Sequence, residues 1–535
     1  MQHPYSSHLG RAALDHGERI AVVDADGETT YAELDRRASA LAAYLVGAGL
    51  LAGERVAIVQ SNGRRYMESV CAVARAGGVY VPMLGLLPQC DHDFIVADSG
   101  ARIVICLDPV ACADSARFLD GDSVSHVIAI DAPDGESTRT LVDYEGAVAA
   151  SEDPQHSLDP SRAEAEGSAP AQILYTSGTT GRPKGVVHSR AAVQAAIDGW
   201  SRWTSMRDGD VLLGQFALSH FGGRLMDSGW ANAATMVLCS ADAAEILAAI
   251  ERRRVAIMLM VPTLMQAVVD HADVARRDLS SLRTIVYAAA PASAQLVERT
   301  MRAFPHAGLV TGFGQTEAYG LNTLMGADEH RRWLDARPER LGSIGRSDQP
   351  DAEVKLVDND GRTVDAPGTE GEICVRAPWV MSGYWNRSDE TDAVLRNGWL
   401  HTRDIGRADE DGYLYICDRK HDMIISGGLN VFPREVEEVL AKHPAVEQSC
   451  VVSRPDRRWG ESVLAVVVLR PDAEASDVLE AELISHCRAR LPGFKTPKEV
   501  RFVANLPRSA VGKILRREVR RPYWQEVRGS VHGAE

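Results

Sequence analysis

Residues 175–185 read Tyr-Thr-Ser-Gly-Thr-Thr-Gly-Arg-Pro-Lys-Gly, and they directly follow an apolar, strand-like segment at 171–174. Glycines let a backbone bend through positive φ and come close to a ligand. Hydroxyls and bare amides donate hydrogen bonds to phosphate oxygens, and the lysine adds a cation. The run therefore predicts a phosphate-binding loop, which comprises Thr176, Ser177, Gly178, Thr179, Thr180, Gly181 and Lys184.

This loop differs from the common nucleoside triphosphatase loop, in which four residues separate the first glycine from Gly-Lys-Ser/Thr. Here Arg182 and Pro183 follow the last loop glycine, and Lys184 is followed by another glycine. A proline beside the lysine would break the helix into which the triphosphatase loop leads. A flexible loop without a ligand is the alternative, and the ordered spacing after a strand argues against it.

The chain resembles the acyl-activating, adenylate-forming superfamily, which comprises acyl-CoA synthetases, carrier-protein adenylation domains and luciferases. The loop has the form of the superfamily's signature, and matching segments follow in the same order from residue 30 to residue 513. The resemblance is to an acyl-CoA synthetase in particular. It implies an α/β fold with a large N-terminal domain of helix-covered β-sheets and a small β-subdomain. A small, mobile C-terminal α+β domain would follow.

Length and composition set further limits. At 535 residues the chain exceeds what one hydrophobic core usually serves, and its net charge of −16 argues against nucleic acid as the main partner. Nine cysteines without a CxxC pair are typical of reduced thiols. Residues 1–11 lack an apolar signal core, and the longest apolar run, 255–269, contains Pro262. We expect a cytoplasmic protein without an integral membrane segment. A homodimer is compatible with the sequence.

The pattern of apolar residues predicts the domain organisation. Helix-like stretches at 31–48 and 66–76 alternate with strand-like ones at 55–59, 78–82 and 101–105, which indicates a parallel sheet covered by helices. A second pattern predicts a helix that opens with a proline, two strands, a helix and a strand, at 431–440, 448–453, 462–469, 475–491 and 498–503. We expect an ATP- and acyl-binding domain at 1–417, a hinge at 418–421 and a mobile domain at 422–535.

Activation of a carboxylate by ATP brings two anions together, so the site needs cations, aligned amides and usually Mg²⁺. By resemblance, the loop would hold the β- and γ-phosphates, Thr316 the α-phosphate and Glu317 the Mg²⁺ ion. A helix N-terminus is the alternative for Glu317. The adenine segment would comprise Gly312, Phe313 and Gly314, where the phenylalanine keeps ring stacking but lacks the usual tyrosine hydroxyl.

Two further segments resemble walls of the acyl site. Ala289, Ala290 and Pro291 would lie beside the nucleotide and Ala288 beside the acyl group, at a place where family members carry at least one glycine. A strand end packed in the core is the alternative for each alanine. His220 would face the carboxylate, with a structural histidine as the alternative. The acyl wall would also include Phe221 and Met226. Few charges lie in these segments, which predicts a hydrophobic acid; aromatic, polycyclic and medium-chain acids stay open.

The resemblance continues at the ribose. Asp404 would accept hydrogen bonds from both ribose hydroxyls, and Arg419 would make a second contact. A surface turn aspartate is the alternative for Asp404. Arg403 stands where the family has glycine, so it either forbids a positive-φ backbone or adds a cation near the nucleotide.

The C-terminal segments would serve two half-reactions. Lys513 would bridge the carboxylate and the α-phosphate, whereas Gly427 and Gly428 would let the pantetheine arm of CoA pass. The alternatives are a solvated lysine and a plain Gly-Gly turn. Both segments cannot be central in one geometry, so the resemblance implies rotation about His421. Family members carry Asp or Lys there, and a histidine suggests a pH-sensitive switch.

The sequence therefore predicts an acid–CoA ligase that uses ATP, Mg²⁺ and coenzyme A and releases AMP and pyrophosphate. Its catalytic residues would be Thr316, Glu317, His220, Gly427 and Lys513. Two alternatives stay open. One is loading of a carrier protein; the other is a non-catalytic sensor, favoured by the departures at Ala288, Arg403 and His421.

Overall fold

The computed structural model describes residues 1–120, 123–130, 140–150, 159–176, 182–290, 292–347, 349–419, 422–426, 429–456, 459–508 and 514–531. The chain divides into two units. The first unit holds residues 1–354 and 375–401, and the second holds 355–374 and 402–535. The predicted hinge at 418–421 includes two residues outside the described ranges, Lys420 and His421. The domain limits given above therefore remain a prediction.

The helices alternate with strands through most of the first unit. The α-helices are α1 (Pro4–His16), α2 (Tyr31–Gly47), α3 (Arg64–Arg75), α4 (Gln89–Ser99), α5 (Tyr144–Ala149), α6 (Arg190–Trp203), α7 (Gly223–Ala231), α8 (Ala243–Arg253), α9 (Pro262–Asp270), α10 (Ala294–Ala303), α11 (Ala327–Ala336), α12 (Ser388–Asp392), α13 (Pro433–Leu440), α14 (Asp477–Arg488) and α15 (Arg516–Val531). Short 3-10 helices lie at Ser115–Leu119, Pro160–Ala163, Ala272–Ala275 and Pro338–Gly342. Among the helices so described, none is both long enough and apolar enough to cross a membrane.

The strands are β1 (Ile20–Asp24), β2 (Gly27–Thr30), β3 (Arg55–Gln60), β4 (Val79–Leu84), β5 (Ile103–Cys106), β6 (His126–Ala129), β7 (Thr140–Asp143), β8 (Pro170–Thr176), β9 (Lys184–Ser189), β10 (Val211–Gly214), β11 (Thr235–Leu238), β12 (Ile257–Met260), β13 (Thr284–Tyr287), β14 (Gly308–Thr311), β15 (Glu353–Val357), β16 (Glu370–Arg376), β17 (Gly383–Tyr384), β18 (Leu395–Arg396), β19 (Trp399–Ala408), β20 (Leu414–Arg419), β21 (Ile424–Ser426), β22 (Leu429–Val431), β23 (Val446–Asp456), β24 (Gly460–Leu469) and β25 (Glu499–Phe502).

Helix α2 shows how local sequence produces these elements. The Thr30 hydroxyl caps its N-terminus by accepting a hydrogen bond from the Glu33 amide at 3.2 Å. Leu34, Leu41 and Leu45 recur at helical spacing and are completely buried. The predicted helix at 31–48 is thus confirmed to within one residue.

The first unit contains an eight-stranded sheet with strand order β17-β9-β8-β4-β3-β5-β6-β7. The six strands from β8 to β7 in this order pair in parallel, and β8 and β9 form an antiparallel hairpin. Thr176 lies opposite Lys184 in that hairpin, so the predicted phosphate-binding loop joins two paired strands.

A seven-stranded sheet in the same unit has the order β14-β13-β12-β10-β11-β1-β2. All its neighbours pair in parallel except β1 and β2. Parallel strands end at the same edge of a sheet, where α/β proteins bind their ligands. The predicted segments around residues 220, 288–290 and 312–317 follow β10, β13 and β14 at that edge.

The second unit contains the strand order β22-β21-β24-β23, with β25 parallel to β24. Valines that alternate along β23 and β24 point to two separate cores. One core packs against α13 and α14, and the other includes Val519 of α15. Parts of β15, β16 and β19, together with β20, form a further small sheet in this unit. The predicted α/β class, with a small C-terminal α+β domain, is confirmed.

Candidate active site

Thr316 and Glu317 are the central residues of a tight turn. Gln315 and Ala318 form an antiparallel bridge, and the Ala318 amide donates to the Gln315 carbonyl at 3.0 Å. The turn is fixed to a distant segment because the Met381 amide donates to the Glu317 carbonyl at 2.9 Å. The alternative of a helix N-terminus at Glu317 is therefore wrong.

The side chains of Glu317 and Lys184 both lie next to one tyrosine, Tyr384. The Tyr384 hydroxyl donates to Glu317 Oε1 at 2.8 Å, and Lys184 Nζ lies 5.4 Å from the centre of the Tyr384 ring. Lys184 is only 6% exposed and forms an ion pair with Glu390. The predicted phosphate-binding lysine and the predicted metal-binding carboxylate thus lie in one site.

Asp98 connects the hairpin to the segment that carries Tyr384. Its carboxylate accepts a hydrogen bond of 2.7 Å from Tyr175, which precedes the predicted loop, and lies 3.4 Å from Arg387. Arg387 also lies 3.6 Å from Glu390. Burial raises the pKa of Tyr175, and the bond to Asp98 raises it further, so the phenol remains a donor. Asp98, Tyr384, Arg387 and Glu390 were not among the predicted site residues.

The His188 side chain bonds to the main chain of the same turn. Its Nε2 atom lies 2.8 Å from the Thr316 carbonyl, and its Nδ1 atom lies 3.3 Å from the amide nitrogen of Gln172. Burial lowers the pKa of His188 to about 3, with the charge of Arg224 as a second cause. A neutral ring with its proton on Nε2 satisfies both contacts.

A buried polar cluster continues from Gln172. The Gln172 side-chain oxygen accepts from Tyr5 at 2.8 Å, and Tyr319 donates to Asp227 Oδ2 at 2.8 Å. The two hydroxyls lie 3.2 Å apart, and the guanidinium of Arg224 lies 3.3 Å from the Tyr319 ring centre. Burial raises the pKa of Asp227 to about 7, against the opposing charge of Arg224. We call these five residues the tyrosine–aspartate cluster.

The loop that carries His220 is held by the end of β3 and by Asn62. The Ser219 amide donates to Gln60 at 3.0 Å, and Asn62 accepts from the Leu218 amide at 3.1 Å. His220 is half-buried, and its Nδ1 atom lies 3.2 Å from the Ser219 hydroxyl. The two sheets of the first unit therefore contribute jointly to the position of this histidine.

The predicted acyl-wall residues differ in exposure. Phe221 is half-buried and packs edge-on against Trp200, with 6.0 Å between the ring centres. Met226, in α7, is buried. A side chain at Gly223 would collide with the Leu218 carbonyl, so the loop needs this glycine to enter the helix.

The three alanines after β13 also differ. Ala288 is buried, and its amide donates to the Met260 carbonyl at 3.2 Å, which agrees with a packed strand end. Ala289 and Ala290 are exposed, so the packed alternative is wrong for them. Ala289 has a φ of +68°, a conformation that costs an L-residue about 1–2 kcal/mol. The backbone thus keeps a glycine-like shape without the glycine.

The predicted adenine segment follows β14. Phe313 is 4% exposed, its amide donates to the Thr323 hydroxyl at 2.9 Å, and its carbonyl accepts from the Asn322 amide at 2.6 Å. A side chain at Gly312 would collide with the Thr323 carbonyl, and one at Gly314 would collide with the Gly320 carbonyl, although Gly314 is exposed.

The ribose residues lie together in the second unit. Asp404 pairs directly with Arg419 across strands β19 and β20, and Asp404 is buried. Between Thr402 and Asp404, Arg403 has a φ of +63°, and its amide donates to Glu372 at 3.0 Å. Of the two alternatives given for Arg403, the one in which it forbids a positive-φ backbone is therefore wrong.

Several predicted residues lie outside the described ranges: Ser177, Gly178, Thr179, Thr180, Gly181, Pro291, His421, Gly427, Gly428 and Lys513. The described residues beside two of these segments pair with each other. Ser426 pairs with Leu429 on either side of the two glycines, and Arg508 pairs with Ile514 on either side of the lysine segment. Their predicted roles remain predictions.

The two-unit α/β fold, with Lys184 and Glu317 beside a Gly- and Thr-rich hairpin, defines an enzyme of the adenylate-forming type. Comparison with protein families agrees with this class. The family described as AMP-binding enzyme matches residues 9–385, and the AMP-binding enzyme C-terminal domain matches residues 435–513. The chain belongs to the AMP-binding enzyme family.

Its relatives include ligases that act on different acids. The chain is 36% identical over 446 residues to the medium/long-chain-fatty-acid–CoA ligase FadD8 of Mycobacterium tuberculosis, covering 81% of this chain and 75% of that protein. It is 36% identical over 509 residues to a feruloyl-CoA synthase of Amycolatopsis sp, covering 92% and 94%. The solved amide bond synthetase McbA from Marinactinospora thermotolerans is similar with a TM-score of 0.83 and 32% identity, covering 97% and 100%.

Proposed function

We propose that the protein is an ATP-dependent acid–thiol ligase. It forms an acyl-adenylate from a hydrophobic carboxylic acid and then transfers the acyl group to coenzyme A. The observation that carries this proposal is the grouping of Lys184 and Glu317 around Tyr384, next to the hairpin of the phosphate-binding loop. The similarity to two acyl-CoA ligases supports the thiol as acceptor.

In the first half-reaction, a carboxylate oxygen attacks the α-phosphorus of ATP while the bond to pyrophosphate breaks. Lys184 balances the charge of the leaving phosphates, and Thr316 lies in the turn assigned to the α-phosphate. Glu317 fits a Mg²⁺ site, because this ion takes one or two carboxylates together with phosphate oxygens. The ion supplies further charge neutralisation when it is bound. His220 and Lys513 would orient the acid carboxylate.

In the second half-reaction, the CoA thiolate attacks the acyl carbon, and the bond between that carbon and the AMP oxygen breaks. Gly427 and Gly428 would line the path of the pantetheine arm, and Asp404 and Arg419 would retain the ribose. We propose that the region after the hinge at 418–421 rotates between the half-reactions. ATP and CoA are the substrates, so the proposed location is the cytoplasm.

A specific observation supports an alternative to one part of the proposal, the identity of the acyl acceptor. The similarity to an amide bond synthetase supports an acceptor other than CoA, and a carrier-protein thiol is the other alternative. All of these acceptors share the first half-reaction. A non-catalytic sensor of the same fold would bind nucleotide and release no pyrophosphate.

The test measures pyrophosphate release with ATP, Mg²⁺ and a panel of aromatic, polycyclic and medium-chain acids. CoA, a phosphopantetheinylated carrier protein and a simple amine are then added separately. We expect acid-dependent pyrophosphate release and a thioester with CoA. Pyrophosphate release with product only from the carrier or the amine would overturn the CoA assignment. Nucleotide binding without release for any acid would favour the sensor.

The pH hypothesis for His421 has its own measurement. If its protonation biases the rotation, the ratio of the adenylation rate to the thioester-forming rate changes between mildly acidic and neutral pH. A flat ratio would remove the hypothesis.

A further inference from the structure

Strand β9 carries two polar side chains that reach the site, and the proposed function explains only one of them. Lys184 opens the strand, and His188 lies four residues further along. Both therefore point to the same side of the strand. His188 is completely buried, and it directly follows two apolar residues of the strand, Val186 and Val187. A buried polar ring in such a place calls for an account of its bonds.

The ring bonds to the main chain of the catalytic turn. His188 Nε2 lies 2.8 Å from the carbonyl of Thr316, which is 128 residues away in sequence. This carbonyl belongs to the peptide that joins Thr316 to Glu317, so the bond fixes the plane of that peptide. The hydroxyl of Tyr384 fixes the Glu317 carboxylate separately.

The other side of the ring connects to helix α7. Gln172 lies opposite His188 in the β8–β9 ladder, and its amide nitrogen contacts His188 Nδ1. Its oxygen accepts from the Tyr5 hydroxyl at 2.8 Å and lies 3.3 Å from the Tyr319 hydroxyl. The single Tyr319 proton can go to this oxygen or to Asp227 of α7, which is nearer at 2.8 Å, so the hydroxyl lies between the two acceptors. The same helix carries Met226, a predicted acyl-wall residue, and begins just after Phe221.

We propose that His188 is a positioning residue for the reaction. It holds the Thr316–Glu317 peptide in the orientation that binds Mg²⁺ and the α-phosphate, and through Gln172 and Tyr319 it connects that turn to the acyl-side helix. This proposal rests on the proposed function in so far as the turn binds a metal-bound nucleotide. A plain core histidine, which contributes to folding alone, is the competing account.

The bonding of His188 makes it suitable for this task. A neutral imidazole donates one hydrogen bond from Nε2 and accepts one at Nδ1. It carries no charge that would compete with phosphate or Mg²⁺. Every polar partner from His188 to Asp227 is buried, so water does not replace a lost bond. A shift of the turn would therefore leave an unsatisfied buried group, which makes the turn stiff.

The experiment compares three variants by equilibrium binding of a non-hydrolysable ATP analogue over a range of Mg²⁺ concentrations. His188→Leu removes both ring bonds. His188→Gln keeps a side-chain N–H that can reach the Thr316 carbonyl. His92→Leu is the matched control, because His92 is also buried, also has a burial-lowered pKa, and contacts only the Leu84 carbonyl at 2.8 Å among the bonds described for it.

We expect His188→Leu to raise the Mg²⁺ concentration for half-maximal nucleotide binding about tenfold, with His188→Gln returning most of the change. His92→Leu should lower the melting temperature without moving the Mg²⁺ dependence. Equal Mg²⁺ curves for the His188→Leu and His92→Leu variants would overturn the proposal, as would failure of glutamine to rescue.

A second variant keeps the proposal testable if His188→Leu does not fold. Tyr319→Phe leaves His188 in place and removes the hydroxyl between Gln172 and Asp227. In the wild type, an acid from the panel that gives pyrophosphate release should shift the Mg²⁺ concentration for half-maximal nucleotide binding, and Tyr319→Phe should make that effect smaller. An unchanged effect would overturn the connection to α7. Because binding is measured and not turnover, a wild-type protein that binds nucleotide but releases no pyrophosphate fails the proposed function alone. A wild-type protein that binds no nucleotide at all overturns both proposals.

Discussion

The two ends of strand β9 lie near the Thr316–Glu317 turn and differ in their chemistry. At the first end, Lys184 takes part in a charged group with Glu390, Arg387 and Asp98. At the other end, His188 takes part in the neutral bonds that lead to the tyrosine–aspartate cluster. The side chain of Glu390 is 35% exposed, whereas Gln172 and His188 are completely buried.

This difference separates what a ligand can exchange from what it cannot. A half-exposed carboxylate regains water when it leaves its partner, so under the proposed function a phosphate would replace Glu390 beside Lys184 at small cost. Buried neutral bonds have no such replacement, and breaking one leaves an unsatisfied group that costs about 1–3 kcal/mol. The Lys184 end of the strand is therefore suited to exchange its partner for a ligand. The His188 end is suited to keep the Thr316–Glu317 turn in one position.

The largest expected effect comes from the charged end. Lys184→Met should lower kcat/KM for ATP about 10²- to 10³-fold in the pyrophosphate assay, because the leaving phosphates lose their cation. Lys495→Met is the matched control, since Lys495 also forms a partly buried ion pair, with Glu435 at 2.5 Å in the second unit. Similar losses in both variants would mean that Lys184 acts through the fold.

The second prediction concerns Asp227, in the cluster that His188 reaches through Gln172, and the pH dependence of the free energy of unfolding. The folded-state pKa of Asp227, about 7, lies above its usual value of 3.8, so burial disfavours the charged form. The unfolded chain then binds fewer protons than the folded one between these values, and this group lowers stability as pH rises from about 4 to about 7. Asp227→Asn should therefore be more stable than the wild type at pH 8, by roughly 1–3 kcal/mol.

Urea unfolding of wild type and Asp227→Asn at pH 4 and pH 8 checks this expectation. The gap between the two proteins should shrink towards pH 4, where the carboxyl is protonated in the folded state. A gap of the same size at both pH values would show that the substitution acts by shape and not by charge.

A smaller effect should follow from Tyr384→Phe, which removes the hydroxyl on Glu317 and keeps the ring beneath Lys184. We expect KM for MgATP to rise about three- to tenfold, because the carboxylate loses one fixed partner. Tyr31→Phe serves as control, since it removes a buried hydroxyl that donates to the Ala234 carbonyl at 2.6 Å. If both variants have a wild-type KM, Tyr384 does not orient Glu317.

The smallest effect should distinguish the two ends by salt. Asp98→Asn keeps an acceptor for Tyr175 but loses the charge beside Arg387, and we expect a loss of unfolding free energy below about 1 kcal/mol. That loss should decrease in 1 M salt, because the Arg387 side chain is 28% exposed and the pair is screened. His188→Gln should respond equally at both salt concentrations, and a salt-dependent response from it would contradict the neutral character of its bonds.

The parts of the site that follow local patterns could be predicted from the sequence. The strand-like segment at 171–174 was predicted from its apolar residues and lies within β8, and the apolar stretches at 55–59 and 101–105 likewise fall on β3 and β5. Helix α14 was predicted at 475–491 and is shorter, because the Ser476 hydroxyl caps its start by accepting from the Leu479 amide at 3.2 Å. Pro492 then restricts the chain beyond its end.

The supporting residues could not be predicted in the same way. His188 bonds to a main-chain carbonyl, and any residue offers that carbonyl, so no pattern at position 316 announces it. Its signal was a histidine in an apolar strand, which requires a buried partner without naming one. Ala289 and Arg403 show the reverse case: the sequence departs from glycine, yet both backbones keep positive φ. Surrounding bonds, such as the one from the Arg403 amide to Glu372, override the residue's own preference.

The tyrosine–aspartate cluster has a consequence for how the chain folds during synthesis. Tyr5 comes from the first helix, and its partners Gln172, Asp227 and Tyr319 lie 167, 222 and 314 residues later. At a ribosomal rate of about 5–20 residues per second, the last partner emerges roughly 15–60 s after Tyr5. The first helix can pack on α2 and α3 early, because both end by residue 75, but the Tyr5 hydroxyl obtains its full set of partners only after Tyr319 has been made.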